Sequence, residues 1–281
     1  MEILHNIPLT VTHLYAIIRF MTQPRDKNGR FSSNRKTVTH LILPDTQCKP
    51  GVPLDHLLWA GRLAADIQPD VIVNLGDHWD MASLSSYEKR GSRYFEGKRY
   101  NLDIEAGNRG MELFEEGLAG FQPSIKLLLR GNHEDRIVRA INDDPKLEGL
   151  IGYHNFNDTD LKWEAKDFLV PVEIDGITYA HYFQSPGNGR PYSGQIDTIL
   201  KNVGFSFVAG HQQGLRTARR ELCNGQVHTG IIAGSFYQHN EEYRGPQATA
   251  EWRGVLVLED VRDGNYNMQQ ISLDKLKRDY S

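Results

Sequence analysis

Between residues 37 and 141 the chain alternates short, unbroken apolar runs with longer stretches whose apolar residues recur at helical spacing. TVTHLIL (37–43), DVIVNL (70–75) and IKLLL (125–129) are rich in β-branched and aliphatic residues and predict strands, DVIVNL one of the buried type. PLDHLLWAGRLAADI (53–67) sets Leu54, Leu57, Leu58, Gly61 and Ala65 on one helical face. Ile104, Met111 and Leu118 recur every seven residues and predict a second long helix, and EDRIVRAI (134–141) predicts a third. From about residue 168 strands dominate: LVPVEI, GITYAHYF, FSFVAG, VHTGIIAG, GVLVLEDV and NMQQISL, with one helix around 194–202. An α/β first half followed by a β-rich second half predicts one layered α/β domain over 37–281 that holds two packed sheets.

Composition changes this picture little. The 281 residues carry a net charge of −4, so affinity for a polyanion has to come from a local patch. No run of about 18 apolar residues occurs, which argues against a membrane span; the expected location, cytoplasmic, rests on the cysteines. Cys48 and Cys223 have no CxxC partner; two free thiols fit a reducing compartment, one disulfide being arithmetically open. Within residues 25–36 Arg25, Lys27, Arg30, Arg35 and Lys36 face only Asp26, so residues 1–36 read as a basic N-terminal arm. Met21 is an alternative start.

Five predicted strands end in polar residues. Their tips are Asp45-Thr46-Gln47, Gly76-Asp77-His78-Trp79-Asp80, Gly131-Asn132-His133-Glu134-Asp135, His181 and Gly210-His211-Gln212-Gln213. Singly, each is an ordinary turn or a structural histidine. Together they place Asp, Asn and His at the carboxyl edges of strands, where α/β sheets hold their ligands.

In this order the tips resemble the calcineurin-like metallophosphoesterases over roughly residues 38–235, GDHWD (76–80) and GNHED (131–135) being the most specific parts. The resemblance implies a four-layer αββα sandwich of two mixed sheets flanked by helices, and two divalent ions at the strand tips. It implies that Asp77 bridges the ions. Asn132, His181 and His211 complete one site, and Asp45 with positions 47 and 213 completes the other. It also implies that His133 serves the leaving oxygen as an acid, oriented by Asp80.

Positions 47 and 213 depart from the family pattern: Gln47 and Gln213 stand where the family usually shows histidine. An amide oxygen is a harder, weaker ligand than imidazole. The site around Asp45 is therefore expected to take Mn²⁺ foremost, then Mg²⁺, and to bind more loosely than its neighbour; Zn²⁺ and Fe are the other candidates. The expected substrate is a phosphate ester. SYEKRGSRYFEGKRY (86–100) interleaves basic and aromatic residues, Arg90 and Arg93 among them, and reads either as a nucleic-acid contact or as a solvated loop. QSPGNGRPYSGQ (184–195) is expected to be a mobile loop over the site, offering Arg190 or Tyr192 to substrate or merely covering surface. Arg216, Arg219 and Arg220 add to a phosphate-facing patch or to a solvated face. Three functions follow: a phosphodiesterase or nuclease, a phosphomonoesterase, or a non-catalytic scaffold that has kept the fold.

Overall fold

The computed structural model describes residues 37–86, 92, 95–240 and 251–281. The basic arm, the alternative start at Met21 and the substrate candidates Arg90 and Arg93 lie outside the described residues. In chain order the regular elements are β1 (Val38–Leu43), α1 (Asp55–Ile67), β2 (Val71–Asn74), α2 (Tyr100–Leu118), β3 (Ile125–Leu129), α3 (Arg136–Asp143), β4 (Glu164–Lys166), β5 (Val172–Ile174), β6 (Ile177–Ala180), α4 (Ile196–Val203), β7 (Phe207–Ala209), β8 (Leu215–Glu221), β9 (Val227–Ala233), β10 (Gly254–Arg262), β11 (Asn265–Ser272) and α5 (Leu273–Tyr280).

The strands form two mixed sheets, ordered β11-β10-β1-β2-β3-β4 and β5-β6-β7-β9-β8. Strand alternation builds the layers. Ile42, Val73, Leu127 and Leu256 of the first sheet meet Tyr179, Val208 and Ile231 of the second in an inner core. Their neighbours Leu41, Leu43, Ile72 and Leu128 point the other way, onto Leu57, Ala60, Phe114 and Leu276 of α1, α2 and α5. On the far side Ile196, Ile199 and Leu200 of α4 cover Phe207, Ala209 and Ile232. The order is helices, sheet, sheet, helices. Strands β1, β2 and β3 are parallel, with Leu43, Asn74 and Leu128 in register, so their carboxyl tips end at one level. Likewise β6, β7 and β9 are parallel, with Ala180, Ala209 and Ile232 in register.

Three elements differ from expectation. The buried stripe of α1 is wider than a single face and takes in His56, Trp59 and Leu63, while Leu58 is only partly buried. The reason is a third neighbour, α5, which packs on α1 as well as on the sheet. The sequence LDKLKRDY of α5 has too few apolar residues to show a stripe; it is held by the Ser272 cap, whose Oγ accepts from Lys275 N at 3.2 Å, and by burial of Leu276. Finally, LRTARRE is strand β8, templated by β9 from Leu215↔Ala233 to Glu221↔Val227. It is an edge strand, where exposed charges are tolerated.

Gly107 of α2 positions the β2 tip. A Cβ there would stand 1.9 Å from the Trp79 ring, so only glycine lets the indole lie against the helix. Trp79 is fully buried, stacks on Phe156 at 4.0 Å and donates from Nε1 to Asn108 Oδ1 at 3.1 Å. Among the described residues no helix is long and apolar enough to cross a membrane. Cys48 is buried, Cys223 is exposed, and both thiols are free.

Candidate metal centre

Three loop tips turn through the left-handed region at four candidate ligands: Asp45 (φ 23°), Gln47 (φ 40°), Asp77 (φ 50°) and His211 (φ 62°). Outside glycine this conformation costs energy and collects at functional sites. The turns carry pairing past the strand ends. Gln47 N donates to Asp77 O at 2.9 Å, Cys48 N to His78 O at 2.7 Å, and Asp80 N to Cys48 O at 3.1 Å. The two sheets are then joined at their tips. His181 Nδ1 donates to Leu75 O at 2.8 Å, His211 N to Asp45 Oδ1 at 3.0 Å, and Phe236 N to Asp45 O at 3.1 Å.

These ties bring one ligand atom each from Asp77, His181 and His211 within 4.8 Å of one another. With Nδ1 of His181 bonded to a carbonyl, Nε2 is the ring nitrogen left to face the cluster. It faces Asn132 Oδ1 at 3.0 Å and Asp77 Oδ1 at 3.3 Å. Both oxygens are stabilised by positive charge at Nε2, a proton there or a cation that displaces it. Gly131 leaves room for this, since a Cβ at that position would fall 2.2 Å from Asp77 Oδ1 and 2.8 Å from His181 Cε1.

Protonation follows the same geometry. Burial would lower the His181 imidazole, but the Asp77 and Asp45 carboxylates raise it to about 9. Burial raises the Asp45 carboxyl to about 7 against the pull of His181. Asp77 stays well below the usual carboxylate range despite burial, because His133 and His181 face it. His211 is lowered to about 4 by burial and by His181, so it is neutral at pH 7 with a lone pair to offer.

The donors fit a divalent cation: carboxylate, amide oxygen and imidazole are its usual ligands, and the His181 imidazole has an outer partner in Leu75 O. Two further oxygens support the fit. Asp45 Oδ2 and Gln47 Oε1 are buried and have no hydrogen-bond partner. Gln213 Oε1 accepts from Tyr237 OH at 2.7 Å, which fixes how the amide is turned.

Beside the cluster, His133 Nδ1 lies 2.8 Å from Asp80 Oδ1 and Nε2 lies 3.7 Å from Asp77 Oδ2, while His133 N donates to Asp77 Oδ1 at 2.9 Å. Burial lowers the His133 imidazole, but Asp77 and Asp80 outweigh it and the net shift is upward. Burial raises Asp80, but the His133 partner brings it down to about 2. The pair is an imidazole held beside a carboxylate. Arg136 fixes the Asp80 backbone, Nη1 donating to Asp80 O at 2.7 Å.

Glu134 is the residue that sequence reasoning quoted without giving it a role. Its Oε1 accepts from His78 N at 2.6 Å and Trp79 N at 2.9 Å, and its Oε2 from Asp77 N at 3.1 Å and Gly131 N at 2.7 Å. One buried carboxylate thus clasps the β2 and β3 tips. Glu134→Gln turns an NH₂ group onto two of those N–H donors. It is expected to lower unfolding free energy by about 3 kcal/mol, from unsatisfied buried donors at ~1–3 kcal/mol each. Urea denaturation checks this; an unchanged midpoint would show that the clasp contributes nothing.

The remaining candidates fall elsewhere. Arg190 is exposed, its N–H bonded to Asn188 Oδ1 at 3.0 Å. The 184–195 loop is tied down: Gln212 Nε2 donates to Tyr192 O, and Arg216 Nη1 to Gly194 O at 2.8 Å. Arg216 also donates to Gln212 Oε1, so it braces this loop and is not a loose phosphate-facing cation. Arg219 lies 3.6 Å from Glu221 on the exposed edge strand. Of the basic–aromatic stretch, Tyr100 is committed to packing, with its OH donating to Asn155 Oδ1 at 2.7 Å. Lys98 sits over the Phe95 ring at 6.0 Å.

Fold and site together define a two-sheet α/β protein with a cluster at the carboxyl tips of its parallel strands that could hold a metal ion. No family model and no curated protein matches the chain. Among solved structures it is similar to Yfce, a phosphoesterase from E. coli, at 13% sequence identity and a TM-score of 0.35, with 84% of this chain and 100% of that chain covered.

Proposed function

We propose that this protein is a metal-dependent phosphoesterase, and within that class a phosphodiesterase or nuclease acting on nucleic acid or nucleotides. The observation that supports it most is the convergence of Asp77, His181 and His211 beside an imidazole, His133, that Asp80 holds at Nδ1. A cluster that only bound metal would have no use for that imidazole.

The donor chemistry favours two divalent ions, Mn²⁺ foremost. Asp77, Asn132, His181 and His211 would hold one with mixed nitrogen and oxygen. Asp45, Gln47 and Gln213, sharing Asp77, would hold the other with oxygen alone, a set that suits hard cations. When bound, such ions neutralise phosphoryl charge and make a water acidic enough to attack near neutral pH.

The chain's own groups do the rest. Asp77, kept ionised by its imidazole neighbours, is shared between the two donor sets. His133 delivers a proton from Nε2 to the leaving oxygen, and Asp80 at Nδ1 holds the ring to that task. The preference for a diester rests on the basic and aromatic residues of 86–100.

Turnover of bis-p-nitrophenyl phosphate against p-nitrophenyl phosphate in Mn²⁺ tests this. The diester is expected to be the better substrate. Turnover of the monoester alone would replace the diesterase reading with a phosphomonoesterase. Turnover of neither would leave a non-catalytic scaffold.

A further inference from the structure

Two aromatic side chains that the mechanism above does not use lie against its histidines. Tyr182 follows His181 directly and packs on the His211 ring at 4.7 Å between centroids. Phe168 meets Tyr182 edge-on at 5.4 Å and 80°, and its centroid is 6.3 Å from that of His181. Both residues are half-buried beside the cluster.

Phe168 is also held there at a cost. It belongs to a tight turn closed by Val170 N donating to Asp167 O at 3.1 Å, in which Leu169 adopts φ 68°. A branched aliphatic residue in the left-handed region is strained. The turn leaves Val170 47% exposed instead of burying it. The same turn is strapped to the β3 tip, since Arg130 N donates to Lys166 O at 3.0 Å and Arg130 Nη1 to Asp167 Oδ1 at 3.2 Å. Arg130 stands two residues before Asn132, so the distance from the Phe168 turn to the cluster is set by rigid backbone. A strained turn that presents apolar groups beside a phosphate-binding cluster fits a ligand surface better than a packing element.

We propose that Phe168 and Tyr182 form an aromatic subsite that receives the planar ring of a phosphate ester whose phosphate sits at the Asp77 cluster. This rests on the phosphoesterase reading and adds the substrate class: an ester carrying a nucleobase or an aryl group close to phosphorus. Rings stack on rings with a gain beyond area burial, and base-on-aromatic stacking tolerates any base. A substituent without a ring would gain little at this position.

The test is calorimetric binding to the full-length protein in Mn²⁺, with 5′-AMP, phenyl phosphate and ribose 5-phosphate as probes. Phe168→Leu and Tyr182→Leu keep apolar bulk but remove the ring. Each is expected to weaken 5′-AMP, phenyl phosphate or both by about tenfold, with ribose 5-phosphate and Mn²⁺ affinity unchanged. Loss for 5′-AMP alone assigns the subsite to nucleobases, and loss for phenyl phosphate alone to smaller aryl groups. Equal weakening of all three, or a fall in Mn²⁺ affinity, would mean that the rings only buttress His181 and His211, and would overturn the proposal. So would no weakening at all. If the unaltered protein binds none of the three, the phosphoesterase reading falls with the subsite; binding that ignores both substitutions removes the subsite alone.

Discussion

Asp77→Ala is expected to abolish turnover and to weaken divalent-cation binding by more than about 100-fold, beyond the 10–100-fold cost of losing an outer-shell partner. The reason is geometric. Asp77 is the carboxylate that Nε2 of His181 and Nε2 of His133 both face, and its backbone carbonyl anchors Gln47. Isothermal titration with Mn²⁺ checks it. The unaltered protein should show one tight and one weak class of site, the weak one being the oxygen-only set. Two equally tight Zn²⁺ ions would contradict that inequality. Binding should also release protons, because a cation displaces them from His181, raised to about 9, and from Asp45, raised to about 7. The sign follows: both groups sit above their ordinary values, so protons compete below those values and affinity climbs as pH rises from 6 to 9. An Asp77→Ala protein that still bound Mn²⁺ at full affinity would put the metal elsewhere.

His133→Ala should behave differently. Turnover is expected to drop by roughly 10²–10⁴ while Mn²⁺ binding stays nearly intact, because the close contact of His133 with Asp77 is through its backbone N–H, which alanine keeps, and Nε2 stands off at 3.7 Å. The loss should be greatest for esters with poor leaving groups and smallest for p-nitrophenolate, which departs without a proton. Rates across a series of aryl diesters give this slope directly. A full rate on an alkyl diester would remove the acid role from His133 and leave Asp80 to explain as a structural partner.

The strand tips were legible because their signal is local. An apolar run followed by Gly-Asp, Gly-Asn-His or Gly-His describes a strand and the turn that ends it, and parallel strands in register bring such tips to one edge. The core pattern was legible for the same reason: Leu41, Ile42 and Leu43 alternate between helix layer and sheet layer as a period of two dictates. What failed was whatever depends on a distant neighbour. The charged strand β8 exists because β9 templates it, and α5 because β10, β11 and α1 receive it.

At the site the division is the same. Residue type and order along the chain name Asp45, Asp77, Asn132, His133, His181 and His211 as the groups that can bind a cation or move a proton. Only the folded chain decides which atoms meet: that Glu134 clasps four N–H groups of two loops, that Tyr237 takes the Gln213 oxygen, that Arg216 is spent on the 184–195 loop, and that Phe168 lies against His181. Hydrogen-bond partners and ring contacts between residues dozens of positions apart are fixed by packing within a few tenths of an ångström. Nothing in the local sequence carries that information.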